Sequence, residues 1–326
     1  MKKKKQFVDL DTKYYYKPLK ITKKIQKFLG DVKLFTLPSI SFFVVKIGGT
    51  KYSIYNKENL ELIQELNCDY MLNNIEIMNE NAIIIYGGHM EIWTKNKSNL
   101  FIKSKTISIN ITSNILINSK SSLLLYAEPD GILVWQIKEN IPQNIITNIK
   151  MQYNKTNLFF INNEELLGVH INDYYPYIYF FQMKDFTIVK KMNITEKVGK
   201  DFLLESYDKP YIAKINENRI FYIYSKPSKN KTFFLTIKIP GFVIEQQKKN
   251  FYSNFTIYKN YIIFYYWNKK IKVFENSKCK FVQEIYNKDF YSMIHLKDNY
   301  LLGLMEKYFN APEKTLVMFR LNLFKE

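Results

Sequence analysis

Arginine is almost absent from this chain: Arg219 and Arg320 are the only two in 326 residues, so 46 of the 48 basic residues are lysines. The rigid bidentate fork that grips phosphate or reads guanine edges belongs to arginine, whereas lysine is a flexible point charge. The formal charge of +18 therefore favours solubility and loose attraction to anions over specific nucleic-acid readout. Glycine and proline are also few, at 10 and 9 residues, while lysine, asparagine, isoleucine, tyrosine and phenylalanine are jointly inflated. That pattern is what A/T-rich codons leave over a whole surface.

Long apolar runs are missing as well. Stretches such as Phe42 to Val45 and Tyr261 to Trp267 fall far short of the roughly 18 residues a membrane-spanning helix needs. The start, MKKKKQFVDLDTKYYYKP, is basic but has no apolar stretch of roughly 7 to 15 residues behind it, which argues against a secretory signal. Asp9 and Asp11, with no early arginine, argue against an organellar transit peptide. The two cysteines, Cys68 and Cys279, lie far apart and form no local ligand pair. A reduced intracellular compartment, cytoplasmic or nuclear, is the expectation.

What is present suffices for a core: 47% of residues are hydrophobic and 17% aromatic, which excludes a disordered tail. The recurring unit is a short β-rich run, a turn and a second β-rich run. The clearest copies are AIIIYGGHMEIWT at 82–94, SLLLYAEPDGILVWQI at 122–137 and YIIFYYWNKKIKVFE at 261–275. Gly87, Gly88, Asp130, Gly131 and Asn268 stand where a tight reversal needs positive φ or a capping side chain. Four weaker copies lie at 42–56, 165–183, 219–238 and 300–321. The seven recur at a mean spacing of about 44 residues, inside the range of roughly 40 to 45 for a four-stranded propeller blade.

Two further strands fit between successive hairpins. Outer candidates are Leu60 to Gln64, Leu100 to Lys103, Ile145 to Ile149, Thr187 to Lys190, Phe242 to Gln246 and Phe281 to Ile285. Inner candidates are Met71 to Ile77, Leu158 to Ile161, Tyr211 to Ile215, Ser253 to Tyr258 and Phe290 to His295. The last hairpin has no outer strand of its own, so Phe7 to Leu10 or Lys13 to Lys17 is expected to pair with Lys314 to Arg320 and close the ring. Leu19, Ile21, Ile25, Phe28 and Leu29 give Pro18 to Gly30 a partial helical face, which predicts a short basic helix or linker there. The expected organisation is an N-terminal closing segment over 1–32 and an all-β, seven-bladed propeller over 33–326.

Reactive constellations are not visible in the spacing. His89, His170 and His295 fall in different units, and neither HxxxH nor a cysteine pair at ligand spacing occurs. Gly48-Gly49 and Gly87-Gly88 each separate two strands, which suits a turn and not a phosphate loop between strand and helix. Asp173, Glu205, Asp208 and Glu306 could line a channel mouth, but nothing places any two of them at glycosidase separation. No cofactor and no metal is expected. The densest aromatic cluster runs from Tyr174 to Phe181. Its loop residues Tyr174 and Tyr175 are candidate anchors for a protein partner, since exposed tyrosines on a rigid support are the usual hot-spot type. Trp267, Lys269 and Lys270, and similarly Lys248, Lys249, Phe251 and Tyr252, interleave charge with aromatic rings as base stacking on RNA requires.

The hairpins resemble those of the WD-repeat propeller family. GGHMEIW, DGILVWQI and NKKIKVFEN share its turn, alternating strand and terminal aromatic, with Trp93, Trp135 and Phe274 in the family's tryptophan position. No Trp-Asp dipeptide occurs, and the Gly-His pair is not regularly placed. The resemblance implies a non-enzymatic scaffold or subunit of a multiprotein assembly. Alternatives are a structural RNA-contacting subunit of a ribonucleoprotein particle and an enzyme with its site at the channel mouth.

Overall fold

Every described element of the computed structural model is a β-strand. The model describes residues 8–9, 20–29, 32–36, 39–72, 74–111, 113–151, 156–161, 165–171 and 177–193, and the strands given below between 211 and 320. Two compact units are present, one comprising Tyr14–Ile109 with Lys248–Glu326, the other Met1–Lys13 with Asn110–Gln247. Among the described residues the strands form seven antiparallel sheets of four strands each.

The first unit holds four of them. β3 (Val32–Thr36), β4 (Phe42–Ile47), β5 (Lys51–Asn56) and β6 (Leu62–Asn67) pair in chain order, as do β7 (Asn74–Asn79), β8 (Ala82–Tyr86), β9 (His89–Lys95) and β10 (Phe101–Ser108). A third sheet is β22 (Phe255–Tyr258), β23 (Tyr261–Tyr265), β24 (Lys270–Glu275) and β25 (Lys280–Tyr286). In the fourth, β26 (Phe290–Lys297), β27 (Tyr300–Glu306) and β28 (Glu313–Arg320) are completed on the β28 edge by β2 (Lys20–Leu29).

The second unit holds three. β11 (Leu116–Asn118), β12 (Leu123–Glu128), β13 (Gly131–Lys138) and β14 (Ile141–Lys150) form one, and β15 (Thr156–Ile161), β16 (Leu166–Ile171), β17 (Tyr177–Gln182) and β18 (Ile188–Asn193) the next. In the last, β1 (Val8–Asp9) pairs with β21 (Lys231–Lys238), followed by β20 (Arg219–Lys226) and β19 (Tyr211–Ile215).

Strand alternation explains why the second strand of a sheet reads as an unbroken apolar run. Successive side chains leave β4 on opposite faces. Phe42 and Val44 pack with Ile75, Ile83, Ile85 and Phe101 of the neighbouring sheet, while Phe43 and Val45 pack with Phe28, Leu302, Leu304 and Leu316. The β3–β6 sheet is thus covered on both sides, and each such side chain contributes roughly 1.5–3 kcal/mol on burial. In the second unit, Leu123, Leu125 and Val134 meet Leu158, Leu167, Val169 and Phe181 in the same way. The fourth strands are half-solvated, as the alternating burial of β10 shows.

Side-chain amides stitch neighbouring sheets together. The Gln64 amide donates to the Phe101 carbonyl and accepts from the Phe101 N–H, both at 2.8 Å, so one side chain acts as a single rung of ladder between two sheets. In the second unit Asn114 does the same to Leu158, accepting at 2.8 Å and donating at 3.0 Å.

Asparagines also carry turn work where glycine is scarce. Asn56, Asn79, Asn96 and Asn118 each accept a backbone N–H two or more residues on through the side-chain oxygen, closing local turns. The two-residue reversal from β13 to β14 uses Glu139 (φ 53°) and Asn140 (φ 65°), a type I′ geometry made without glycine.

The seven hairpins fall where the sequence places them, and most outer and inner strands follow. Three expectations need correction. Residues 20–29 form a strand and not a helix, and two register shifts, between Ile21 and Lys23 and between Lys24 and Gln26, insert extra residues against β28. Bulges add residues to an alternating strand, so its apolar positions acquire the spacings of three and four that mimic a helix. The partner of Lys314 to Arg320 is therefore Lys20–Leu29, while Val8–Asp9, within the Phe7 to Leu10 candidate, pairs instead with Phe233 and Phe234. Met71 precedes β7, which begins at Asn74. The Lys13 to Lys17 and Phe242 to Gln246 segments lie outside the described residues.

Candidate partner-binding site

The segment joining β6 to β7 is fastened at both ends. The Cys68 N–H donates to the Thr50 carbonyl at 2.8 Å and the Leu72 N–H to the Gly49 carbonyl at 3.1 Å. The Tyr52 hydroxyl, on a fully buried ring, donates to the Leu72 carbonyl at 2.5 Å. Burial, with Cys68 and Glu91 nearby, pushes the Tyr52 phenol far above its ordinary range, so it serves as a neutral donor.

Beneath this segment lies a fully buried carboxylate, Glu91. It accepts the Asp69 N–H at 2.9 Å and the Trp93 indole N–H at 3.2 Å. Glu91 and Trp93 are two apart on β9 and so share a face. The Lys103 ammonium bonds the Asp69 carboxylate and stands 4.0 Å from Glu91, placing a counter-charge beside the buried acid. The hydrogen bond to Asp69 holds Lys103 above its ordinary range. Cys68 is buried here too, and burial, reinforced by Glu91, pushes its thiol well up. A protonated, covered thiol is a packing group and not a nucleophile.

With its backbone fixed from below, the segment directs two side chains outward. Tyr70 is 42% and Met71 75% exposed. The Tyr70 ring stacks on His89 at 3.9 Å between centroids and 24° between planes. The Met71 side chain lies over Gly49, where an added Cβ would fall 2.9 Å from the Met71 methyl. The result is a small apolar and aromatic projection on a rigid base.

Of the residues singled out in the sequence, Tyr174, Tyr175, Trp267 and Lys269 lie outside the described residues, as do Asp173, Glu205, Asp208, Lys248, Lys249, Phe251, Tyr252 and Cys279. Lys270 opens β24, opposite Tyr286, and Glu306 ends β27 opposite Lys314. The three histidines fall on three different sheets, on β9, β16 and β26. Trp93, Trp135 and Phe274 all lie on the third strand of their sheets, and the Trp135 indole donates to the Tyr126 hydroxyl at 3.3 Å. Tyr70, Met71 and the stacking role of His89 were missed. Their signal was an aromatic-apolar pair inside the otherwise polar NCDYMLNN stretch, obscured because Met71 reads as the first residue of a strand.

No family model and no curated protein matches the sequence. Among solved structures, the β-propeller domain of Cps50 (Swd1) from Myceliophteria thermophila is similar with a TM-score of 0.62, covering 92% of this chain and 99% of that one at 8% identity. Together with the repeated sheets, this defines the class: an all-β chain of four-stranded antiparallel blades with the fold of a β-propeller. It resembles the WD-repeat propellers and carries the aromatic of their third strand without their Trp-Asp dipeptide. At such low identity the likeness is one of fold, and function rests on the site. Among the described residues no helix is long and apolar enough to cross a membrane.

Proposed function

We propose that the protein is a non-enzymatic intracellular scaffold that holds other proteins in an assembly, with the projection of Tyr70, Met71 and His89 as a principal contact. In this reading the seven sheets are the blades of one ring over 33–326, closed by the strand at Lys20–Leu29. The observation that carries it is the outward display of Tyr70 and Met71 over a segment fastened by Tyr52 and Glu91. An exposed tyrosine and methionine on a rigid base lose little conformational freedom on docking, which is the economy of a hot spot. Tyr174, Tyr175, Trp267, Lys269 and Lys270 are proposed as a second contact set.

The test is affinity purification of the tagged full-length chain from its native cell, beside the Tyr70→Ala/Met71→Ala variant, each with and without nuclease. Specific proteins retained by the parent and lost by the variant are expected. Identical partners with both chains would remove this projection as the contact. Partners that vanish on nuclease treatment would favour the ribonucleoprotein alternative.

A further inference from the structure

Six of the seven sheets end on a full fourth strand of 6 to 10 residues. The sheet of β19, β20 and β21 does not: its fourth strand, β1, is 2 residues long and meets only Phe233 and Phe234 of the 8-residue β21. Among the described residues no other strand lies along that outer edge. β21 itself is regular, without proline and without a register shift against β20, from Arg219 opposite Lys238 to Lys226 opposite Lys231. An unpaired row of backbone N–H and C=O groups on a regular strand is a template for an added strand.

Charge is unbalanced at the same place. β19, β20 and β21 carry Lys214, Arg219, Lys226, Lys231 and Lys238 and no acid. Both ends of the β20–β21 hairpin set cation opposite cation, which no other pairing of a second with a third strand does among the described residues. Like charges directly opposite are destabilising. Elsewhere the fourth strand answers the third: Glu284 of β25 stands opposite Lys272 of β24, and Lys51 of β5 meets Glu65 of β6 at 2.8 Å. The N-terminal segment can answer only one end of β21. Its register, Val8 opposite Phe234 and Asp9 opposite Phe233, would if continued set Asp11 opposite Lys231 but Lys4 opposite Lys238, adding a third cation to the Arg219 and Lys238 pair.

We propose that the outer edge of β21 over Leu235–Lys238 is a docking site for an extended segment of a partner protein, which adds as a fourth strand with an acidic residue opposite Lys238 and apolar residues opposite Leu235 and Ile237. Backbone pairing supplies the attraction. The acid supplies the selectivity, since it offsets the repulsion between Arg219 and Lys238 that the chain's own N-terminus would deepen. The N-terminus of a second copy is a poor occupant for the same reason, because it brings the same Lys4. This deepens the scaffold reading and rests on it, but uses none of Tyr70, Met71 and His89.

Hydrogen exchange of the outward amides of Leu235–Lys238 in the full chain is the test, with two synthetic peptides of residues 4–11 as probes. Both carry Lys5→Val, and one also carries Lys4→Glu. The peptide with the added acid is expected to slow exchange there and to bind about fivefold more tightly than the one that keeps Lys4, with the order reversed on Lys238→Glu. A free peptide binds weakly, so the same changes are also made in the full chain, where tethering raises the effective concentration. There Lys4→Glu/Lys5→Val is expected to slow exchange over Leu235–Lys238 about fivefold relative to Lys5→Val alone. Outward amides already protected in the parent, no dependence on residue 4 in the tethered pair, an order that Lys238→Glu leaves unchanged, or equal protection by a single-stranded oligouridylate would each overturn the proposal. None of these results bears on the purification with Tyr70→Ala/Met71→Ala, so the two readings fail separately.

Discussion

Replacing Glu91 by alanine tests how the exposed projection is held. The carboxylate is fully buried and accepts two hydrogen bonds, from the Asp69 N–H and the Trp93 indole, with Lys103 at 4.0 Å. A hydrogen bond to a charged group contributes roughly 1.5–3 kcal/mol, and a buried donor left unpaired costs about 1–3 kcal/mol. Against this, removing a buried charge returns part of its desolvation cost. The balance puts Glu91→Ala at a loss of about 2–4 kcal/mol. Glu91→Gln keeps one acceptor but aims an amide N–H at the other donor, so it falls between, near 1–2 kcal/mol. Equilibrium unfolding in urea, followed by tryptophan fluorescence, orders the three chains as parent, Gln, then Ala. An alanine variant within about 0.5 kcal/mol of the parent would refute the role assigned to Glu91, and a glutamine variant as damaged as alanine would show that the two accepted bonds are not what matters.

Two other substitutions follow from the same kind of accounting. Burial lowers Lys57 from 10.5 to about 8, with Glu80 partly opposing the shift. Between those values the unfolded chain binds more protons than the folded one, so the penalty is fully present below pH 8 and relieved as pH rises toward 10.5. Lys57→Met is expected to stabilise the protein by about 1–3 kcal/mol at pH 7 and to lose that advantage at pH 10, as read from urea midpoints. An advantage equal at both pH values would contradict the burial argument. Gly131 has φ of 155°, and a Cβ there would strike the Asn148 side-chain oxygen and come within 2.5 Å of the Ile149 carbonyl. Gly131→Ala is therefore expected to cost about 3 kcal/mol or more; a melting temperature unchanged from the parent would show that β14 gives way freely.

The hairpins were legible because both middle strands of a sheet are buried on two faces and so concentrate Ile, Val, Phe and Tyr in short runs bounded by turns. Inner strands such as Tyr211–Ile215 were legible for the same reason. β11 was not, being only three residues long, and β3 was passed over between a supposed helix and the first hairpin. β2 was misread because bulges gave a strand the spacing of a helix. The type I′ turn at Glu139 and Asn140 carries none of the glycine that usually advertises one. The site was hidden for a different reason. Tyr70 and Met71 become a projection only through long-range contacts with Gly49, Tyr52, His89 and Glu91, and no local pattern encodes that meeting.

The amide clasps at Gln64 and Asn114 carry a consequence for how the molecule yields under load. Contacts between apolar faces slide with little directional resistance, but a clasp bonded at both its oxygen and its nitrogen resists shear along the strand. Pulling on one sheet therefore transmits force sideways into its neighbour before either peels apart, so each clasped pair behaves as one mechanical element in place of two leaves that slip independently.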